Sequence, residues 1–200
     1  MDEKRKAGNY VIIHEIHVGE KEVVVGELPY DSPEKYMCAY YTANGIMAQY
    51  GDCLASDSYA EIMMIFADRI KEQAEAAFNS LKEADVPDED KKSVDILRFS
   101  LIDYDDNIEN KVVVIKPDVL RREYRNAMHQ LQLCVGGFGA QAHSRGSACY
   151  CTNLFTGKST RFERKDILGV MKADKIPEWA DKTLSDIKHK NRSEKVKEVR

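Results

Sequence analysis

Apolar residues recur along this chain with two periods, and the switches between them mark its elements. Val11-Ile12-Ile13 and Val23-Val24-Val25 are β-branched runs on either side of Gly19-Glu20. Such runs around a glycine-first turn predict a hairpin over residues 10–28. A two-residue turn would set Val25 opposite His14 and Val23 opposite Ile16, with His14 on the apolar face beside Ile12 and His17 on the other face beside Glu15. A second hairpin is predicted from Tyr36 to Ala55 with its turn at Asn44-Gly45, a strong hairpin signal. Ser58 and Glu61 then have capping-box spacing. They open a helix to about Lys82 with Ile62, Ile65, Phe66, Ile70, Ala74, Ala77, Phe78 and Leu81 as its apolar stripe. The result is a ββββα lobe over 8–84, an antiparallel four-strand sheet carrying one long helix.

Residues 83–93 break the pattern with Asp85, Pro87, Asp88, Glu89 and Asp90, the composition of an inter-lobe linker. Strands are predicted again at Val94–Ile102 and Lys111–Lys116, separated by the acidic connection Asp103, Asp105, Asp106, Asn107 and Glu109. Pro117 suits the first turn of a short helix carrying Arg121, Arg122 and Arg125. From Met128 the period is two, with His129, Leu131, Leu133 and Val135 on one face and Gln130, Gln132 and Cys134 on the other. A hairpin around Thr156-Gly157, a helical turn over Arg164–Leu168 closed by Gly169, and a helix from near Pro177 burying Trp179, Leu184 and Ile187 complete a second α+β lobe over 94–190. A basic tail over 191–200 follows. The fold class is α+β, with a second antiparallel sheet bearing short helices and a C-terminal helix.

Composition narrows the function classes. The chain is 43% hydrophobic and 32% charged, which is globular, and its net charge of -4 argues against a general nucleic-acid binder. No apolar run approaches the ~20 residues of a membrane span. Five cysteines without an export signal imply free thiols in a reducing compartment, so the expected location is cytoplasmic, with no membrane partner.

Candidate chemistry is sparse. Gly136-Gly137-Phe138-Gly139, with Arg145 and Gly146 behind it, reads either as an anion nest or as a wide connection needing positive φ. It fits neither a Walker loop nor a dinucleotide fingerprint, because it enters a strand. His14 and His17, three apart on a strand, fall on opposite faces and cannot share an ion without a bulge. Cys149 and Cys151 share a face; with His129 or His143 they would form a zinc site, and otherwise they are small buried thiols. Asp103-x-Asp105-x-Asn107 starts like a calcium loop, but Ile108 stands where glycine is required and Val114 where the bidentate glutamate belongs. No nucleophile elbow surrounds Ser144 or Ser147. The reading is therefore non-enzymatic, without cofactor or metal. Its candidate binding residues are Arg121, Arg122, Arg125, Arg145, Arg161 and Arg164 on the basic side and Asp103, Asp105 and Asp106 on the acidic side.

Tyr124-Arg125-Asn126-Ala127-x-His129-Gln130-Leu131, Gly136-Gly137-Phe138-Gly139, Arg145-Gly146-Ser147-Ala148 and Thr156-Gly157-x-x-x-Arg161-x-x-Arg164-x-Asp166 resemble an uncharacterised module. That module occurs in accessory proteins of conjugative plasmids, integrated elements and phages of Gram-positive gut bacteria. The resemblance spans 124–169 and carries no catalytic residues across. It implies a binding protein of a mobile element, such as an inhibitor of a host defence nuclease of the anti-CRISPR or antirestriction type. The alternative it leaves open is a nucleic-acid-binding accessory of transfer or replication, working through the second lobe. A metal-dependent enzyme is the third.

Overall fold

A computed structural model describes residues 5–44 and 47–187. The chain divides into two compact units, Met1–Ala84 and Asp85–Arg200. Both carry antiparallel sheets, so the α+β class holds.

The first unit is a meander in chain order: β1 (Lys6–Ala7), β2 (Tyr10–Val18), β3 (Lys21–Glu27), β4 (Tyr36–Asn44) and β5 (Met47–Ser56), followed by α1 (Tyr59–Glu83). Five strands replace the expected four, because a turn at Gly8, φ +59°, folds β1 back onto β2. His14 pairs with Val25 and Ile16 with Val23, as the turn at Gly19 predicts. A bulge between Ile12 and His14 corrects one face assignment. Ile12 packs with Ala7, Val24 and Met37, whereas Ile13 packs on the α1 side with Val23, Val25, Ile62 and Phe66. His14 lies on that side too, its Nε2 2.7 Å from the Tyr59 hydroxyl. The ladder of β4 and β5 runs out to Asn44↔Met47, and the predicted turn at Asn44-Gly45 falls outside the described residues.

Ser58 caps α1, its Oγ accepting from Glu61 N at 3.3 Å, while the Glu61 carboxylate accepts from Ser56 Oγ. The apolar stripe is buried only in the first half of the helix. Ile62 and Phe66 are covered, but Ala74 is exposed and Phe78 is 65% exposed. Arg69 joins helix to sheet by donating to the carbonyls of Cys38 and Asp52, beside the bulge of β4 and β5.

The second unit is a six-stranded sheet in the order β10-β9-β8-β7-β11-β6, in which every neighbouring pair is antiparallel. Its strands are β6 (Phe99–Leu101), β7 (Val112–Ile115), β8 (Leu131–Gly136), β9 (Ala148–Asn153), β10 (Ser159–Glu163) and β11 (Ile167–Met171). One face packs Val112, Val114, Leu131, Leu133 and Met171 against Ala180 and Leu184 of α3 (178–187), with Trp179 and Ile187 at its margin. The other buries Val113, Ile115, Cys134, Cys149, Cys151 and Phe162 under Ile108 and Ala140.

Several expected elements are shorter or different. The strand expected over Val94–Ile102 is a 3-10 turn, Ile96–Arg98, followed by the three residues of β6. The helix expected after Pro117 is two 3-10 turns, Pro117–Val119 and Arg122–Tyr124. The period of two begins at Leu131 instead of Met128. Asn126 caps a helical turn, α2 (Ala127–Gln130), and takes His129 out of the strand. Arg164–Asp166 is a 3-10 turn, and Gly169 lies inside β11, not at a helix end. A Cβ on Gly169 would stand 2.2 Å from the Ser100 carbonyl of β6, so the strand pairing itself demands glycine. The basic tail over 191–200 lies outside the described residues.

Asp90, in the acidic stretch expected to be a linker, is 1% exposed and folded into this unit. Its Oδ1 lies 2.6 Å from Arg98 Nη1, Trp179 Nε1 donates to its Oδ2 at 2.9 Å, and its carbonyl accepts from Ala127 N. Removing one partner of a buried ion pair strands the other charge, at a cost of about 3–5 kcal/mol. Asp90→Ala should therefore lower the stability of the second unit by about that amount in urea unfolding followed by Trp179 fluorescence. A midpoint equal to that of the wild type would contradict this.

Candidate functional site

Two long connections of the second unit, 102–111 between β6 and β7 and 137–147 between β8 and β9, form one continuous surface. Their backbones bond to each other directly. Ile108 N donates to Ala140 O at 2.8 Å, and His143 N donates to Tyr104 O at 3.1 Å. Ile108 is the anchor. It is the one aliphatic side chain between Asp103 and Glu109, and it is fully buried against Ala140 and the cysteines of β8 and β9. The acidic residues shape the connection locally. Asp106 Oδ2 accepts from Asp103 N, Asp103 Oδ1 from Tyr104 N, and Asn107 Oδ1 from Glu109 N, as side-chain-capped turns do.

The glycines serve close backbone approach. Gly136 and Gly137 have φ of +154° and +106°, and a Cβ on Gly137 would lie 2.3 Å from Ala148 O. On Gly139 it would lie 2.2 Å from Ser147 O. The loop's amides bond inward in part, Ala140 N to Gly137 O and Gln141 N to Phe138 O. The positive φ values are those that the wide-connection reading required.

Arg164 closes the arrangement. Its Nη1 donates to Gly139 O at 2.7 Å, and its Nη2 donates to Asp106 O at 2.8 Å and to Asp103 O. A single guanidinium thus ties the acidic connection to the glycine connection. Of the nine candidate binding residues, Arg164, Asp103 and Asp106 are brought together, the two aspartates through their carbonyls. Asp105 stands exposed beside them, its Oδ1 3.1 Å from His143 Nδ1. Arg145 is exposed on the glycine connection.

The remaining arginines sit elsewhere in the unit. Arg161 is on β10, paired with Tyr150 across the ladder and bonded to Glu163. Arg121, Arg122 and Arg125 lie on the connection from β7 to α2, where Arg125 Nε donates to Leu120 O. The sequence reading missed Tyr104 and Phe138, which stand 53% and 74% exposed on the two connections. Their only signal was an aromatic residue placed amid loop residues.

The sulfur and imidazole groups do not converge. Cys149 and Cys151 are buried together with Cys134, which pairs with Cys151 across the ladder. Bonding to the Cys134 sulfur, with burial second, pushes both thiols far above the usual range and keeps them protonated. His143 bonds with Asp105, and His129 is stacked on Tyr124, ring centres 4.4 Å apart. Among the described residues no group of three or more His, Cys, Asp or Glu is arranged to hold a metal ion. No described helix is long and apolar enough to cross a membrane. Comparison of the chain with protein-family models, curated proteins and solved structures finds no match.

Replacing Arg164 takes a donor from three carbonyls, of which Asp103 O keeps the Asp106 N–H. Arg164→Ala should speed amide exchange across 103–110 and 137–147 while leaving that of α1 unchanged. Arg164→Lys should not restore it, because an ammonium lacks the planar fork that spans the three acceptors. Unchanged exchange in both connections would contradict the clamp. His129 gives a pH prediction. Burial, then Lys158, lowers its pKa below the ordinary 6.5, so protonation favours the unfolded chain. Its contribution is full above about pH 6.5 and declines as pH falls below that value. His129→Gln should flatten the acid limb of the stability–pH curve.

Proposed function

We propose that the chain is a non-enzymatic binding protein whose contact surface is the rim made by the connections 102–111 and 137–147. What carries this reading is the Arg164 clamp, which fixes two exposed connections as one preformed surface. Preformed surfaces bind with less ordering cost than mobile ones. The rim displays the carboxylates of Asp103 and Asp105 with Tyr104 and Phe138 beside them. Carboxylates next to exposed aromatic rings suit a basic protein surface, with charge guiding the encounter and the rings supplying contact area.

The partner that joins this chemistry to the mobile-element resemblance is a host defence nuclease, whose nucleic-acid channel is basic. Carboxylates presented in place of phosphates would block that channel by electrostatic competition. The alternative, a nucleic-acid-binding accessory protein, is supported by Arg161 beside the exposed Tyr150 on the β9–β10 ladder, since a base can stack on such a ring.

The test is affinity capture from host lysate with the full chain, followed by calorimetry with the captured nuclease. Asp103→Asn with Asp105→Asn should weaken binding ~10-fold or more, and the wild-type affinity should fall as salt rises from ~50 to ~200 mM. A nuclease bound equally well by the double variant would refute the rim as the contact surface. Salt-sensitive binding to duplex or single-stranded DNA, lost in Arg161→Ala, would transfer the assignment to the alternative.

A further inference from the structure

Three sulfurs meet on the buried face beneath the rim. Cys134, Cys149 and Cys151 are fully buried, in one cluster with Val113, Ile108 and Ala140. Cys134 is the middle one, because the thiols of Cys149 and Cys151 both bond to its sulfur. The other two cysteines belong to the first unit, where Cys38 is buried and Cys53 exposed.

Sheet register makes one pair ready to join. Cys134 lies directly across from Cys151 on the ladder of β8 and β9. Its own N–H and C=O turn the other way, to Lys111 O at 3.0 Å and Asn110 N at 2.7 Å. The two cysteines are therefore a non-hydrogen-bonded pair, the kind in which opposed side chains come closest. Cα atoms of such a pair are about 4.5 Å apart, within the span of about 4.4–6.8 Å that a disulfide bridges. Cys149 lies past the bulge and pairs with Phe162 of β10 instead.

The glycine connection covers these sulfurs. A Cβ on Gly139 would stand 2.9 Å from Cys149 Sγ, and Ser147 O lies 3.7 Å from the same sulfur. Local opening of this connection admits a small oxidant to the cluster.

We propose that Cys134 and Cys151 form a reversible disulfide with hydrogen peroxide as oxidant, locking β8 to β9 at the foot of the rim. Bonds from the Cys149 and Cys151 thiols hold the pKa of Cys134 below the ordinary thiol value, which makes it the nucleophile. Its thiolate attacks a peroxide oxygen and the O–O bond breaks, leaving a sulfenic acid and hydroxide. The hydroxide takes the proton that Cys134 gave up on ionising. The Cys151 sulfur then attacks Cys134 Sγ, the S–O bond breaks, and the Cys151 proton leaves with that oxygen as water. Two thiols and one peroxide thus give one disulfide and two waters. The switch is independent of what the rim binds.

Mass spectrometry of the full chain carrying Cys53→Ser, which removes the exposed thiol, tests this before and after hydrogen peroxide. Each chain should lose two hydrogens. Cleavage after Tyr150, which separates Cys149 from Cys151, should show Cys134 joined to Cys151. Dithiothreitol should restore the starting mass. Amide exchange across 131–153 should slow ~10-fold or more in the oxidised chain, because the cross-link restricts opening, while that of α1 stays unchanged. A chain that keeps its thiols in peroxide overturns the proposal. So does a bond from Cys134 to Cys149 or Cys38, sulfinic or sulfonic acid on Cys134 without a bond, or a bond that leaves exchange in 131–153 as it was.

Discussion

The guanidinium of Arg164 satisfies the carbonyls of Gly139, Asp103 and Asp106 together, and with buried Ile108 and the direct backbone bonds it holds the shape of the exposed rim. Irregular backbone cannot pair within itself as a helix or ladder does, so its carbonyls need donors from elsewhere. Arginine supplies several in a fixed plane. Arg69 plays the corresponding part in the first unit, where it donates from α1 to Cys38 O and Asp52 O beside a bulge. In both units an irregular stretch of sheet or loop is held by an arginine reaching from a neighbouring element. The arginines the sequence offered as ligand contacts therefore include one whose donors are already spent on the protein's own backbone.

Buried polar groups do similar work deeper in the second unit. Gln130, fully buried, accepts from Val94 N and donates to Ile115 O, joining the segment before β6 to β7. Asn153 donates to Met128 O and accepts from Phe155 N and Thr156 N, which shapes the turn into β10. Asp90 joins Arg98 and Trp179 across the edge of the apolar cluster. Each satisfies several partners at once, as a buried polar side chain must if it is not to cost stability. Together they fix how the short strands are placed around a core that apolar residues alone would leave underdetermined.

The first unit was readable because its signals are local. A glycine turn sets the register of His14 and Val25, and a serine cap starts α1 at Tyr59. Both depend on residues within a few positions of one another. The bulge that separates Ile12 from His14, and the exposure of Ala74 and Phe78 on α1, depend on how far a neighbouring element extends. The stripe itself says nothing about the length of the sheet it lies on. In the second unit, apolar alternation marks β8, but the strand starts at Leu131 and not at Met128. Asn126 competes locally for the backbone, with its Oδ1 accepting from His129 N, and a cap of this kind overrides alternation over a short stretch.

By itself, then, the sequence determined the elements whose cause lies nearby in the chain: the hairpins, the capped helix, and the strand that sets Cys149 and Cys151 on one face. Tertiary structure alone decided the joining of loops 102–111 and 137–147. Their partners are up to 61 residues apart, as between Arg164 and Asp103. It also decided why Gly137, Gly139 and Gly169 are glycine, since the backbone atoms that exclude a Cβ there belong to residues that folding, not chain proximity, brings close. Periodicity reports which way a side chain faces along its own element. It does not report which distant carbonyl that side chain will meet.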